Sequence, residues 1–205
     1  MEEIRSSFID WGVAVRACIG EDRSGDAYVV KALENKVLAA AIDGLGHGEE
    51  AADASRIAVL TLTNHSSEDA TSLVKRCHEA LARTRGVVLS LASFNTAGNT
   101  MTWLGVGNVD GFLMRADHYI KPSYESLFQR GGVVGYQLPS IRPSTLQVNP
   151  GDTLIFSTDG IRSGFIHEVK QEDSPQRVAD MIITNYNRKT DDALVLVVRY
   201  IGGAL

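Results

Sequence analysis

The sequence predicts an α+β sandwich, with antiparallel sheets covered by helices, and three observations predict it. Strand-like and helix-like segments come in groups instead of alternating, which favours antiparallel sheets with helices layered outside. Short Val-, Ile- and Leu-rich runs are separated by polar turn residues. The helical segments each carry a single apolar stripe, as expected of helices that cover a sheet on one side.

The first third reads as strands over Val13–Ile19, Ala27–Leu33 and Val37–Ile42, divided by Gly20–Gly25 and by Glu34-Asn35-Lys36. Two helices follow. Ala54, Ile57, Ala58, Thr61 and Leu62 repeat at i, i+3, i+4, i+7, i+8, and Glu49 and Glu50 sit in the first turn, where the helix dipole favours negative charge. The second helix spans roughly Glu68–Arg83, with Leu73, Cys77, Ala80 and Leu81 on one face. The chain then returns to strands at Val87–Phe94, Thr100–Val106 and Val109–Met114, the first two flanking the hairpin signal Asn95-Thr96-Ala97-Gly98-Asn99. Residues 121–144 hold three of the five prolines and three closely spaced glycines, and read as a long loop with short strands. Asn149-Pro150-Gly151-Asp152 turns the chain into a strand at Thr153–Thr158. A late helix runs from about Pro175 to Asn187, with Ser174 as N-cap and Val178, Met181 and Ile182 as its buried stripe. Ala193–Ile201 is an almost continuous apolar strand of the kind found in a sheet core.

At 205 residues the chain has the size of one domain, residues 1–205, able to bury a real core. A net charge of −5 argues against nucleic acid as a partner, because phosphate backbones are bound by clustered Lys and Arg. It also argues against a basic membrane-surface patch. The start, Met1-Glu-Glu-Ile-Arg, has no hydrophobic stretch like a secretory signal, and no apolar run approaches membrane-spanning length. The expectation is a soluble, cytoplasmic protein. Cys18 and Cys77 fit no zinc or redox spacing, and Cys77 reads as a small buried hydrophobe.

Four aspartates carry the chemistry. Asp26 ends Ser24-Gly25-Asp26 just before a strand, and Asp43 opens Asp43-Gly44-Leu45-Gly46-His47-Gly48 directly after one. Asp159, in Ser157-Thr158-Asp159-Gly160, also follows a strand, and Asp191, in Asp191-Asp192, precedes the last. Carboxylates at strand ends can converge on one edge of a sheet core, where they repel unless cations sit among them. Hard oxygen ligands suit Mg²⁺ or Mn²⁺. Taken singly, Asp159-Gly160 is a common turn and Asp191-Asp192 a solvated loop end. The signal is the occurrence of all four, each against a hydrophobic strand. Gly105-Val-Gly107-Asn-Val-Asp110-Gly111 opens no helix and reads as strand and turn, not as a dinucleotide loop. His65, His78, His118 and His167 are scattered and read as ordinary surface or core residues.

These motifs, with Val106-Gly107-Asn108-Val109 and Asp191-Asp192-Ala193, resemble the catalytic domain of type 2C (PPM) metal-dependent serine/threonine protein phosphatases, and more narrowly their small, RsbX-like bacterial branch. The resemblance implies a four-layer α-β-β-α sandwich with a binuclear centre of two Mn²⁺ or Mg²⁺ at one end. It implies that Asp43 bridges both metals, that the Gly44 carbonyl binds one, that Asp159 and Asp191 bind the other, and that Asp26 acts mainly through metal-bound water. Asn108 is implied to be structural. A water activated by the metals would attack phosphorus in line, with no protein nucleophile. Many larger relatives place a histidine directly after the metal-binding Asp-Gly. Here that position is Leu45, and His47 is the candidate general acid. Larger relatives also use an upstream arginine to hold phosphate, but the spacing of Arg23 does not match. The resemblance further implies a phosphorylated STAS-domain protein of a bacterial stress-signalling complex, the stressosome, as substrate, and a monomer without nucleic-acid or membrane partners. The alternatives are a catalytically inactive binding module of the same fold and a metal-dependent hydrolase of nucleotides or nucleic acid.

Overall fold

The computed structural model describes residues 8–117, 119 and 122–202; His118 and the acidic start at residues 1–5 lie outside them. Two five-stranded antiparallel sheets stack face to face. One has the order β1 (Ile9–Arg16), β10 (Ala193–Tyr200), β9 (Thr153–Ser157), β6 (Asp110–Met114), β7 (Tyr124–Ser126). The other runs β2 (Asp26–Ala32), β3 (Lys36–Gly44), β4 (Val87–Asn95), β5 (Thr100–Val106), β8 (Ser144–Gln147). Helices α1 (Glu49–Asn64) and α2 (Ala70–Ala80) cover the second sheet, and α3 (Pro175–Tyr186) covers the first. The result is the four-layer α-β-β-α sandwich.

Period-two alternation explains the layering, because successive strand side chains point to opposite faces. On β3, Val37, Ala39 and Ala41 enter the core between the sheets, while Leu38, Ala40 and Ile42 pack under α1 and α2. On β10, Leu194, Leu196, Val198 and Tyr200 face the inter-sheet core, while Ala193, Val195 and Val197 meet α3. These strands are apolar on both faces because both faces are covered. Small side chains let α1 approach closely: Ala40 on β3 shares a cluster with Ala54 and Ala58 of the helix, all fully buried.

Three differences from the sequence expectation have physical causes. The first strand lies at Ile9–Arg16, upstream of the apolar run at 13–19, because pairing with β10 runs from Ile9 opposite Tyr200 to Arg16 opposite Ala193. Ile19 is left 78% exposed, so the run's tail is not strand. Ala80 is exposed, and Val74 takes its place on the buried face of α2 beside Leu73 and Cys77. The Pro- and Gly-rich segment contains β7, and β8 begins at its end, as edge strands whose partners, β6 and β5, no local pattern reveals. Asp69, capping the nitrogen of Ser72, starts α2, and Ser174, capping Arg177, starts α3. Among the described residues no helix is long and apolar enough to cross a membrane.

Leu196 sits fully buried at the middle of β10, between the sheets. Leu196→Ala should lower unfolding free energy by about 2–5 kcal/mol, since a core cavity adds to the lost transfer term. Urea denaturation measures this, with the midpoint moving and the slope unchanged.

Candidate metal centre

The antiparallel register brings the first two acids together. Asp26 at the start of β2 is the Cα partner of Asp43 near the end of β3. The other two arrive from the opposite sheet: Asp159 lies two residues beyond β9, and Asp191 two residues before its neighbour β10. All four sequence-predicted aspartates therefore meet at one end of the sandwich. Asp43, Asp159, Asp191, Asn108 and His47 line a common cleft, with Asp26 buried behind. Gly44 ends β3 with its Cα directly under α1, where any Cβ would collide with the Ala51 carbonyl. Gly160 is required for the same reason, packed on the carbonyl of Asp192.

Hydrogen bonds lock the two sheets together at this end. Thr158 donates its hydroxyl to Asp26 Oδ2 at 2.7 Å and accepts from the Leu194 amide at 2.8 Å. Asp192, buried, accepts from the Gly25 amide at 2.7 Å and the Cys18 amide at 2.8 Å. Asn108, in the bend between β5 and β6, donates Nδ2 to Asp159 Oδ2 at 2.8 Å. Sequence reasoning took Asn108 as structural and gave Thr158 and Asp192 no role. Thr158 and Asn108 each donate to an aspartate of the cluster, while Asp192 holds the Gly25 and Cys18 amides, and only the long-range pairing shows these contacts. His47 is exposed, and its Nδ1 lies 2.8 Å from Glu21 Oε1. An ionised carboxylate can only accept, so Nδ1 carries the proton and Nε2 is left as the free ring nitrogen. His78, by contrast, accepts from the Gly135 amide at 3.0 Å and anchors a loop.

Electrostatics identify what the cleft wants. Burial, then the charges of Asp159, Asp191 and Asp192, push the Asp43 carboxyl up to about 7. Burial, then Asp43, pushes Asp26 up to about 9, against the opposing pull of the Thr158 hydroxyl. Every charge acting on these two groups is another carboxylate. Such a cluster favours a cation, and its donors are hard oxygens. Among the described residues no three acidic, His or Cys side chains are already arranged to hold a metal ion by themselves. Mg²⁺ suits that spacing, because it keeps several waters and takes one or two carboxylates. Zinc sites more often include His or Cys ligands.

Solved structures share this architecture. A chain from a structure of the bacterial stressosome, described as a modular system adapted to control secondary messenger signalling, matches with a TM-score of 0.85 and 27% identity, covering 93% of this chain and 99% of that one. RsbX in complex with magnesium matches in fold with a TM-score of 0.85 at 22% identity, covering 95% and 96%. The phosphoserine phosphatase RsbX of Bacillus subtilis (strain 168) is 27% identical over 176 residues, 84% of this chain and 85% of that protein. Fold and site together define a protein of the PP2C phosphatase class. Within it, the chain belongs to the Stage II sporulation protein E (SpoIIE) family, whose model matches residues 34–201.

A carboxyl group whose pKa is raised on folding binds more protons folded than unfolded, so stability falls as pH rises between the two values. For Asp43 and Asp26 that window runs from the ordinary aspartate value of 3.8 up to about 7 and about 9. In EDTA the melting temperature should therefore drop from pH 5 to pH 8, and Mg²⁺ should raise it more at pH 8 than at pH 5. Asp43→Asn should raise the melting temperature in EDTA at pH 8, by roughly 2–4 °C for each kcal/mol of repulsion removed. Differential scanning fluorimetry reads all of these values.

Proposed function

We propose that residues 1–205 form one catalytic domain that hydrolyses phosphoserine or phosphothreonine in a protein substrate, dependent on two Mn²⁺ or Mg²⁺. The observation that carries this reading is the convergence of Asp26, Asp43, Asp159 and Asp191 at one end of the sandwich, with Asp26 and Asp43 pushed up first by burial and then by neighbouring carboxylates. The sheets share one inter-sheet core, which supports treating them as a single unit.

Asp43, the Gly44 carbonyl, Asp159 and Asp191 would hold the cations, with Asp26 behind them. Bound there, divalent cations lower the pKa of water and neutralise charge on phosphoryl oxygens. The chain's own residues do the positioning. Thr158 fixes Asp26 through one 2.7 Å bond, and Asn108 fixes Asp159 through another of 2.8 Å. His47, held by Glu21 through Nδ1 and lining the cleft, would protonate the departing serine or threonine oxygen from Nε2 in its doubly protonated form. Leu45 and Val133 give the cleft an apolar side.

The similarity to RsbX and to a stressosome chain supports a phosphorylated STAS-domain protein of a bacterial stress-signalling pathway as substrate. The proposed protein is a cytoplasmic monomer, and its net charge of −5 supports the absence of nucleic-acid partners. A second reading, an inactive binding module, draws on the lack of a preassembled three-side-chain metal group among the described residues. Calorimetry with Mn²⁺ separates the two, since a dead module shows weak binding or none.

Purified protein should hydrolyse p-nitrophenyl phosphate with Mn²⁺ or Mg²⁺ and not in EDTA. Asp43→Ala should lower kcat by at least about a hundredfold, and Asn108→Ala should weaken metal affinity or activity roughly tenfold, in the range seen when a ligand loses its orienting partner. Full activity in Asp43→Ala would sink the assignment.

A further inference from the structure

A second pocket lies on the strand that leads to the cleft: Val106 lines the pocket, and Asn108, two residues on, lines the cleft. The pocket floor includes Leu104, Leu127 and Ile141, and its rim carries Phe128, Arg130 and Arg142. Arg130 joins it to the catalytic end: its carbonyl accepts from the Gly107 amide at 2.8 Å, next to Asn108. Three residues further on, Val133 lines the cleft itself. A chain seated in the pocket can therefore continue towards the aspartates.

The charges here oppose those of the rest of the site. Arg130 and Arg142 have no carboxylate partner within salt-bridge distance among the described residues. The acid on the pocket wall, Glu125, is already paired with Arg115 at 2.5 Å. The Arg130 guanidinium lies 5.6 Å from the centroid of the Phe128 ring, which is 76% exposed. A chain of net charge −5 thus presents two free guanidinium forks and a bare aromatic ring over an apolar floor, beside an acidic cleft. Arginine forks match carboxylates, and aromatic–arginine clusters dominate binding energy at interfaces.

We propose that this pocket docks the stretch of substrate next to its phosphorylated residue, and selects one that combines an acidic side chain with an apolar one. The proposal rests on the phosphatase reading above. The two guanidinium groups bind the acidic side chain, and the floor takes the apolar one. Phosphate release is measured from two phosphoserine peptides that differ only in Asp-Leu or Lys-Leu pairs on both sides of the phosphoserine. Both are compared with p-nitrophenyl phosphate, which is too small to reach the pocket.

Wild-type protein should favour the acidic peptide in kcat/KM by roughly tenfold, the scale of two charge pairs at a partly desolvated rim. R130E/R142E should abolish or reverse that preference, R130Q/R142Q should reduce it, and both should keep wild-type turnover of p-nitrophenyl phosphate, which also shows that they fold. Metal-dependent turnover with no flank preference, or a preference that survives R130E/R142E, overturns the docking assignment and leaves the phosphatase reading standing. No metal-dependent turnover of p-nitrophenyl phosphate overturns the phosphatase reading, and the docking assignment with it.

Discussion

Two carboxylates, the buried Asp26 and the half-buried Asp43, face each other across an antiparallel pair, and the rest of the site follows from that constraint. Neither has a cationic side chain among the groups that act on it. Like charges at this depth cannot both stay ionised without compensation. The fold therefore holds a cluster that favours either protons or cations, and the more accessible member, Asp43, holds its proton less tightly than Asp26. The hydrophobic sandwich makes this arrangement possible. Its apolar surface, buried in three clusters on either side of the sheets, supplies the stability against which the carboxylates work.

The acids belong to different sheets, so the site exists only where the sheets are fixed relative to each other. Thr158 ties the end of β9 to the start of β2 through Asp26, and Asp192 ties the start of β10 to Gly25 and Cys18. These bonds are short, lie in low dielectric and satisfy groups that would be costly to leave unpaired. They convert two separately folded strand edges into one rigid rim. Asn108 extends the same logic to the most exposed of the acids, Asp159, whose carboxylate would otherwise be free to rotate.

Much of this was legible in the sequence because it is local. Alternating apolar residues mark β3 and β10, a Ser-Pro pair starts α3, and an aspartate directly after an apolar run marks a strand end. What stayed hidden depends on partners far along the chain. The first strand was misplaced because residues 13–19 are as apolar as a strand, and only pairing with β10 selects Ile9–Arg16. Thr158 and Asp192 look like turn residues until Asp26 and Gly25 arrive from more than a hundred residues away. The anchoring role of His78 depends on Gly135, which lies in a segment whose proline and glycine content marks only a loop.

The stability ledger bears on whether this site is kept for use. Desolvation is the largest influence on both Asp26 and Asp43, and neighbouring carboxylates add to it, so each weakens the metal-free fold at neutral pH. Replacing either by an uncharged residue of similar size would relieve that cost without disturbing the apolar core. A chain whose only task was to present its surface to a partner would gain by such a change. This one has all four aspartates, together with the threonine and asparagine that aim two of them. Sites that break the rules of burial are where chemistry is expected, and here the breach is relieved by protonation or by a ligand of opposite charge. The same electrostatics explain why free guanidinium groups matter nearby: an acidic cleft repels an acidic protein, and a positive rim lets such a partner approach without altering the carboxylates themselves.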